Sequence, residues 1–174
     1  MKKLTMVLCA AIIAATCIAR TPAHVYTITR VAIAQGEVFT HKEAGVQFQL
    51  PKGWKAKPDG EVITVSTADD SLQMVFWVPD EDTFDAVVKD IDKELDKTIK
   101  NIKTTDKGTS DTHNGMPHFS TGGTGDVDGT RIEWSVDVLA AKKIVIILTF
   151  AAPGVAEKHD AESLQFINSI KKTP

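Results

Sequence analysis

Hydrophobic and polar positions alternate most cleanly between Gly129 and Val138. Ile132, Trp134, Val136 and Val138 fall on one face, and Arg131, Glu133, Ser135 and Asp137 on the other. Period two is the signature of a strand with one buried side. After Ala140-Ala141-Lys142-Lys143 comes Ile144 to Phe150, apolar on both faces and rich in β-branched residues. Such a run predicts a central strand covered above and below. The pair, Gly129 to Pro153, reads as one hairpin around which the remaining elements are arranged.

Upstream, Glu37 to His41 and Gly45 to Leu50 read as two strand segments, with Val46, Phe48 and Leu50 on a common face. Pro51-Lys52-Gly53-Trp54 ends the second, since proline cannot donate to a ladder. Trp54 is taken as an anchor at the edge of the core rather than a platform for a ligand. Pro58-Asp59-Gly60 and Asp69-Asp70-Ser71 are turn signals around Val62–Thr67. Leu72 to Val78 alternates again and is antiparallel to the preceding strand, because the connection is too short for a crossover. Pro79 stops it. Asp80-Glu81-Asp82 then supplies acids for a helix start, with Asp82 as the N-cap. Phe84, Val87, Val88, Ile91, Leu95, Ile99 (or Thr98) and Ile102 come next at helical spacing, with a charged outer stripe.

Lys103 to Asn114 shows no period and predicts a long exposed connection. Met116 to Thr121 predicts a strand, and Gly122, Gly123, Gly125 and Gly129 bracket a flexible stretch. Pro153-Gly154 turns the chain into a second helix, about Val155 to Lys171, with Leu164, Ile167 and Ile170 on its apolar face and Phe166 flanking it. The order is strands, helix, strands, helix. The expected class is α+β: an antiparallel β-sheet flanked by two amphipathic helices, an αβα-type sandwich forming a single domain over residues 35–174.

Residues 1–34 read as a leader. Met1-Lys2-Lys3 is a short basic start, and the 16 residues from Leu4 to Ala19 are apolar and uncharged. That pattern fits a secretory signal peptide and is short for a membrane span. Cleavage after Ala23 or after Ala34 is compatible with the small residues there, and Ala34 gives the better match. A lipid anchor at Cys17 is disfavoured by Ala14, where a leucine-like residue is wanted. Membrane attachment would then come only through an uncleaved leader.

The composition has two consequences. Cys9 and Cys17 both lie in the leader, so a chain cut after it has no thiol for disulfides, nucleophilic catalysis or metal ligation. The leader also holds four of the 20 Lys and Arg residues and none of the 23 acids, leaving 16 against 23, a net charge of −7 with His neutral. An acidic domain repels polyanions, so nucleic acid is not expected as a partner.

The most suggestive polar stretch is His113-Asn114-Gly115-Met116-Pro117-His118. If Asn114-Gly115 turns the chain, two imidazoles could converge on a metal, with Asp111 or Glu133 adding oxygen. The plainer reading is a hairpin turn with His118 as a strand residue, and the sequence supplies no third ligand. Asp126-Val127-Asp128-Gly129 resembles the start of a calcium loop but has Asp137 where a closing Glu belongs, so Asp-Gly reads as a hairpin turn. Gly122-Gly123-Thr124-Gly125 is not a phosphate loop, lacking the Gly-Lys-Ser/Thr that completes one. No cofactor is implied. Glu133 and Asp137 could do acid–base work, yet a solvated charged row is the simpler reading.

Gly45-x-x-Phe48-x-x-Pro51-x-x-Trp54 opens the domain, a Gly-rich strand precedes the long hairpin, and a helix ending Phe166-Ile167-x-Ser169-Ile170 closes it. Together these resemble the PsbP-like superfamily, which also contains the bacterial DcrB-like envelope proteins and a eukaryotic Ran-binding import factor. The resemblance covers about residues 37–172. It implies an antiparallel sheet flanked by helices and use as an accessory or binding module without enzymatic activity. It assigns no ligand residue here.

Two functional expectations emerge. The first is an exported, non-catalytic binding module of the bacterial cell envelope, whose partner is an envelope protein or a small ligand. Its candidate residues are His113, Asn114, His118, Arg131 and Glu133, around the polar face of the hairpin. The second is a small extracytoplasmic metal-dependent hydrolase using His113, His118 and Glu133, which requires those side chains to converge on one point.

Overall fold

The structure, a computed structural model, describes residues 31–33, 36–60, 62–80 and 83–174. The chain runs through β1 (Val31–Ile33), β2 (Gly36–His41), β3 (Val46–Gln49), β4 (Lys55–Asp59), β5 (Val62–Ser66) and β6 (Leu72–Trp77) into helix α1 (Phe84–Thr98). Then come β7 (Lys100–His113), β8 (Met116–Val127), β9 (Thr130–Ala140) and β10 (Ile144–Ala151). Short helices α2 (Val155–Lys158) and α3 (Asp160–Ser169) and strand β11 (Lys171–Lys172) close it. A seven-stranded sheet has the order β4-β5-β6-β10-β9-β8-β7, and a four-stranded sheet the order β1-β2-β3-β11. Neighbouring strands are antiparallel in both. The class is α+β with mostly antiparallel sheets.

β10 sits in the middle of the large sheet and is covered on both faces, as its apolar run requires. Ile144, Ile146 and Leu148 pack with Ile132, Trp134, Val136 and Val138 of β9 and with Val87, Ile91 and Leu95 of α1. Val145, Ile147 and Ala151 face the other way, toward Phe39, Val46 and Phe48 of the small sheet and Phe166 of α3. Trp54 belongs to this second core, its ring stacked 6.3 Å from that of Phe166, which bears out its reading as an anchor.

Four local expectations are corrected. The first concerns α1, which stops at Thr98, where Ile99 turns extended and donates its N–H to the Leu95 carbonyl at 2.8 Å. Asn101 then takes a positive φ of 51°. Ile99 and Ile102 still pack beneath the helix, so their spacing mimicked a further turn. The expected N-cap, Asp82, lies outside the described residues; the Thr83 hydroxyl accepts the Ala86 N–H at 3.4 Å.

The second concerns residues 103–114, expected as a connection: 103–113 lie in the 14-residue edge strand β7, and Asn114 lies in the turn that follows it. Its register with β8 shifts three times between Lys100 and Thr109, which resets the alternation and hides the strand from a period-two search. The third is the glycine stretch, which is strand β8 and not flexible chain. A Cβ on Gly123 would lie 2.1 Å from the Lys103 carbonyl oxygen, and one on Gly125 would lie 2.2 Å from Ile99 Cγ2. Glycine lets the start of β7 cross β8 closely.

The fourth is the second helix, which is two short helices broken at His159. Of the expected apolar face, Ile170 is buried and Ile167 packs against the core, but Leu164 is 53% exposed and Phe166, expected only to flank the face, is fully buried.

The leader proper, with Cys9, Cys17 and the alternative ends Ala23 and Ala34, lies outside the described residues. β1 falls inside the segment expected to be removed with a cut after Ala34, and it pairs Val31 with Val38 and Ile33 with Gly36. Among the described residues no helix is long and apolar enough to cross a membrane.

Candidate functional site

Two Xaa-Gly turns set the geometry of the polar face. Asn114 and Gly115 have φ of 46° and 76°, and Asp128 and Gly129 have φ of 50° and 79°. Paired positive φ values in a two-residue loop match the twist of antiparallel strands. The first turn pairs His113 with Met116, and therefore Asp111 with His118. The second pairs Val127 with Thr130, which puts Ser120 opposite Asp137 and His118 opposite Leu139. Residues directly opposite share a face. On the side away from α1, β7 to β9 thus present Asp111, His118, Ser120, Asp137, Ser135, Thr124 and Glu133 in rows.

His118 is the centre of this face. It is 8% exposed, and each ring nitrogen meets a carboxylate: Nδ1 lies 2.7 Å from Asp111 Oδ1, and Nε2 lies 3.0 Å from Asp137 Oδ1. A neutral imidazole has one N–H and would turn a lone pair toward one of these oxygens. Only the doubly protonated ring satisfies both. Its pKa is accordingly raised above the usual 6.5, chiefly by the hydrogen bond to Asp137 and further by Asp111, with burial acting in the opposite sense. When the ring is charged, a positive charge sits between two acids, and both nitrogens are committed to carboxylates, which leaves no free lone pair for a metal or for proton abstraction.

The other residues singled out in the sequence are placed differently. His113 is on the same face, its ring centroid 5.7 Å from that of His118. Its Nε2 lies 2.9 Å from the Ile167 carbonyl oxygen of α3 and so carries a proton there. Asn114 donates its two amide hydrogens to the carbonyls of Asn168 at 3.0 Å and Ile170 at 2.8 Å. Both side chains therefore hold the C-terminal end of α3 and the residue that caps it, Ile170, whose own N–H reaches the Ile167 carbonyl at 3.0 Å. Arg131 lies at the far end of the face, donating to Thr124 Oγ1 at 2.7 Å and pairing with Asp126 at 3.4 Å. Asp126 is held below the usual carboxylate range, first by the Asn101 amide and then by Arg131. Glu133 accepts the Gly154 N–H with both oxygens at 3.2 Å.

His113, His118 and Glu133 do not converge. Glu133 is six residues along β9 from the position opposite His118, roughly 20 Å at about 3.3 Å per residue. Among the described residues no group of three His, Cys, Asp or Glu side chains is arranged to hold a metal ion. Sequence reasoning named Asp137 with Glu133 on the polar face of this strand but did not pair it with His118. The signal was available, since counting back from the two turns puts Asp111 opposite His118 and Asp137 one diagonal step away.

No protein-family model matches the chain, and a search of curated proteins finds no match either. Solved structures do match. The chain superposes on the solution structure of cyanobacterial PsbP (CyanoP) from Synechocystis sp. PCC 6803 with a TM-score of 0.59 at 11% identity, covering 82% of this chain and 95% of that one. It superposes on LpqN, a Mycobacterium tuberculosis protein involved in cell envelope biogenesis, with a TM-score of 0.57 at 14% identity, covering 85% and 91%. The α+β arrangement is thus a PsbP-like fold, as the turn and packing residues suggested.

Proposed function

We propose that this chain is an exported, non-catalytic accessory module of the bacterial cell envelope, which binds an envelope protein or a small ligand through the polar face of β7, β8 and β9. The observation that carries the reading is that face itself. It is an ordered row of exposed or half-buried hydroxyls and acids around the buried His118, which is held between two carboxylates, in a fold shared with CyanoP and LpqN. The basic and apolar start of the chain supports export. A metal-dependent hydrolase built on His113, His118 and Glu133 has no such support, because each of the three is engaged with a different partner.

The test is a pulldown from envelope extract with the tagged, exported protein. Three baits are compared: the unaltered chain, a Thr109→Lys/Thr124→Lys variant of the polar face, and a Lys89→Glu/Lys93→Glu variant of the outer stripe of α1. Retention of one species by the first and third baits and not the second is the expected outcome. No retained protein or ligand, or equal retention by all three, overturns the reading.

A further inference from the structure

Asn114 does two things at once. Its side-chain amide latches the closing segment of the chain, and it precedes a glycine in an exposed turn. We propose that Asn114-Gly115 is a deamidation site, and that its conversion releases the segment from α3 to β11. The reaction needs only water. The Gly115 backbone nitrogen attacks Asn114 Cγ, a C–N bond forms, the Cγ–Nδ2 bond breaks, and ammonia leaves with the proton from the Gly115 nitrogen. Water then opens the five-membered imide at either carbonyl, giving aspartate or isoaspartate. Glycine as the next residue leaves the attacking nitrogen without a side chain beside it, and no heavy atom beyond its chain neighbours lies within 4 Å of where a Gly115 Cβ would stand.

The latch controls its own destruction. Both amide hydrogens are committed to the Asn168 and Ile170 carbonyls, so the side chain must leave them before Cγ can reach the Gly115 nitrogen. The rate in the folded chain is therefore the intrinsic rate multiplied by the fraction of time the latch is open. Once formed, the carboxylate has no hydrogen to donate and faces two carbonyl oxygens at the negative end of α3. It cannot close again. Beyond Asn114, the Ser169 hydroxyl accepting the Gln49 N–H at 2.9 Å and the Thr173 N–H to the Gly45 carbonyl at 3.0 Å tie the segment to β3 and the turn before it, and the Ile170 N–H to the Ile167 carbonyl at 3.0 Å closes the helix end within it. The same segment seats Phe166 and Ile170 in the core.

The experiment ages the chain at mildly alkaline pH, folded and in urea, and maps by mass spectrometry the conversion of Asn114. Amide exchange is then measured at Gln49, Ile170 and Thr173 in the Asn114→Asp variant and in the aged, charge-separated folded protein. The second sample keeps the test open if the variant folds poorly. Expected are fast conversion in urea, slower but measurable conversion in the folded chain, and exchange at the three amides faster by about tenfold or more, with the β9 and β10 amides unchanged. Absence of conversion in the folded chain, equal rates folded and unfolded, or unchanged exchange after conversion would each overturn the proposal.

Discussion

Replacing Asp137 by Asn tests the central feature of the site, since it preserves shape and removes one of the two charges that hold His118. Breaking a fully buried ion pair costs about 3–5 kcal/mol, whereas a hydrogen bond to a charged group is worth about 1.5–3 kcal/mol. The second range applies here. The Asp137 side chain is 15% exposed, and Asp111 remains 2.7 Å from the other nitrogen. The expected loss is about 2 kcal/mol when His118 is charged, which with a urea slope of about 1–3 kcal/mol per molar moves the midpoint down by about 1 M.

The sign of the pH dependence is set by the direction of the shift. His118 has a folded pKa above its unfolded value of about 6.5, so the bracket contributes in full below about pH 6.5. That contribution fades as pH rises through the raised folded value. Urea unfolding of the unaltered chain and of Asp137→Asn should therefore differ most on the acid side of neutrality. On the alkaline side the gap should narrow to that of a neutral hydrogen bond, about 1 kcal/mol or less. The ring-proton NMR titration of His118 gives an independent reading. Equal losses at both pH values, or a His118 that titrates at the ordinary position in the unaltered chain, would refute the charged bracket.

Packing sets the other expected outcomes. Gly123→Ala should cost about 3 kcal/mol or more in urea unfolding, since its methyl group meets the Lys103 carbonyl oxygen at 2.1 Å and Trp134 at 2.9 Å. Phe166→Ala should cost about 3–5 kcal/mol, while Leu164→Lys, on the outer side of the same helix, should stay within about 0.5 kcal/mol of the parent. The intact mass of the exported protein should place its first residue at Gln35. A mass that begins at His24 would mean that β1 is part of the finished domain, and an intact leader would argue against cleavage altogether.

How far the sequence reached depended on whether a side chain's face was set by local chemistry or by distant packing. The β9–β10 hairpin was legible because its alternation and its apolar run each answer to one physical demand, burial on one side or on both. The two Xaa-Gly turns were legible because few other residues accept paired positive φ. β7 was not, since an edge strand with three register shifts buries almost nothing and leaves no period to find. Phe166 and Leu164 were exchanged for another reason. Helical spacing alone does not say which side of α3 meets Phe48 and Trp54, and that side is chosen by a contact more than 100 residues away. Within the site, His118 stood out by type, but Asp137 emerges only after two hairpin registers are combined.

Unequal coverage determines where the polar face lies. The small sheet contributes a four-residue β3 and a two-residue β11, and the helix beside it, α3, has ten residues. These cover the half of the large sheet around β5, β6 and β10, where Ile63, Val65, Met74, Phe76, Val145 and Ile147 supply the apolar surface. β8 and β9 run 12 and 11 residues and β7 runs 14, beyond anything that layer can shield. On the uncovered half apolar residues would be exposed to water, and the sequence has hydroxyls, acids and His118 there instead, while the opposite face of β9 stays apolar under α1. The polar row of β9 is therefore required by the fold whether or not anything binds. The fold has no such need for a histidine with both nitrogens committed to carboxylates at its centre, where Ser or Thr would satisfy the same exposure. If the proposed binding role holds, that residue, more than the polarity around it, is where loss of binding should first be sought.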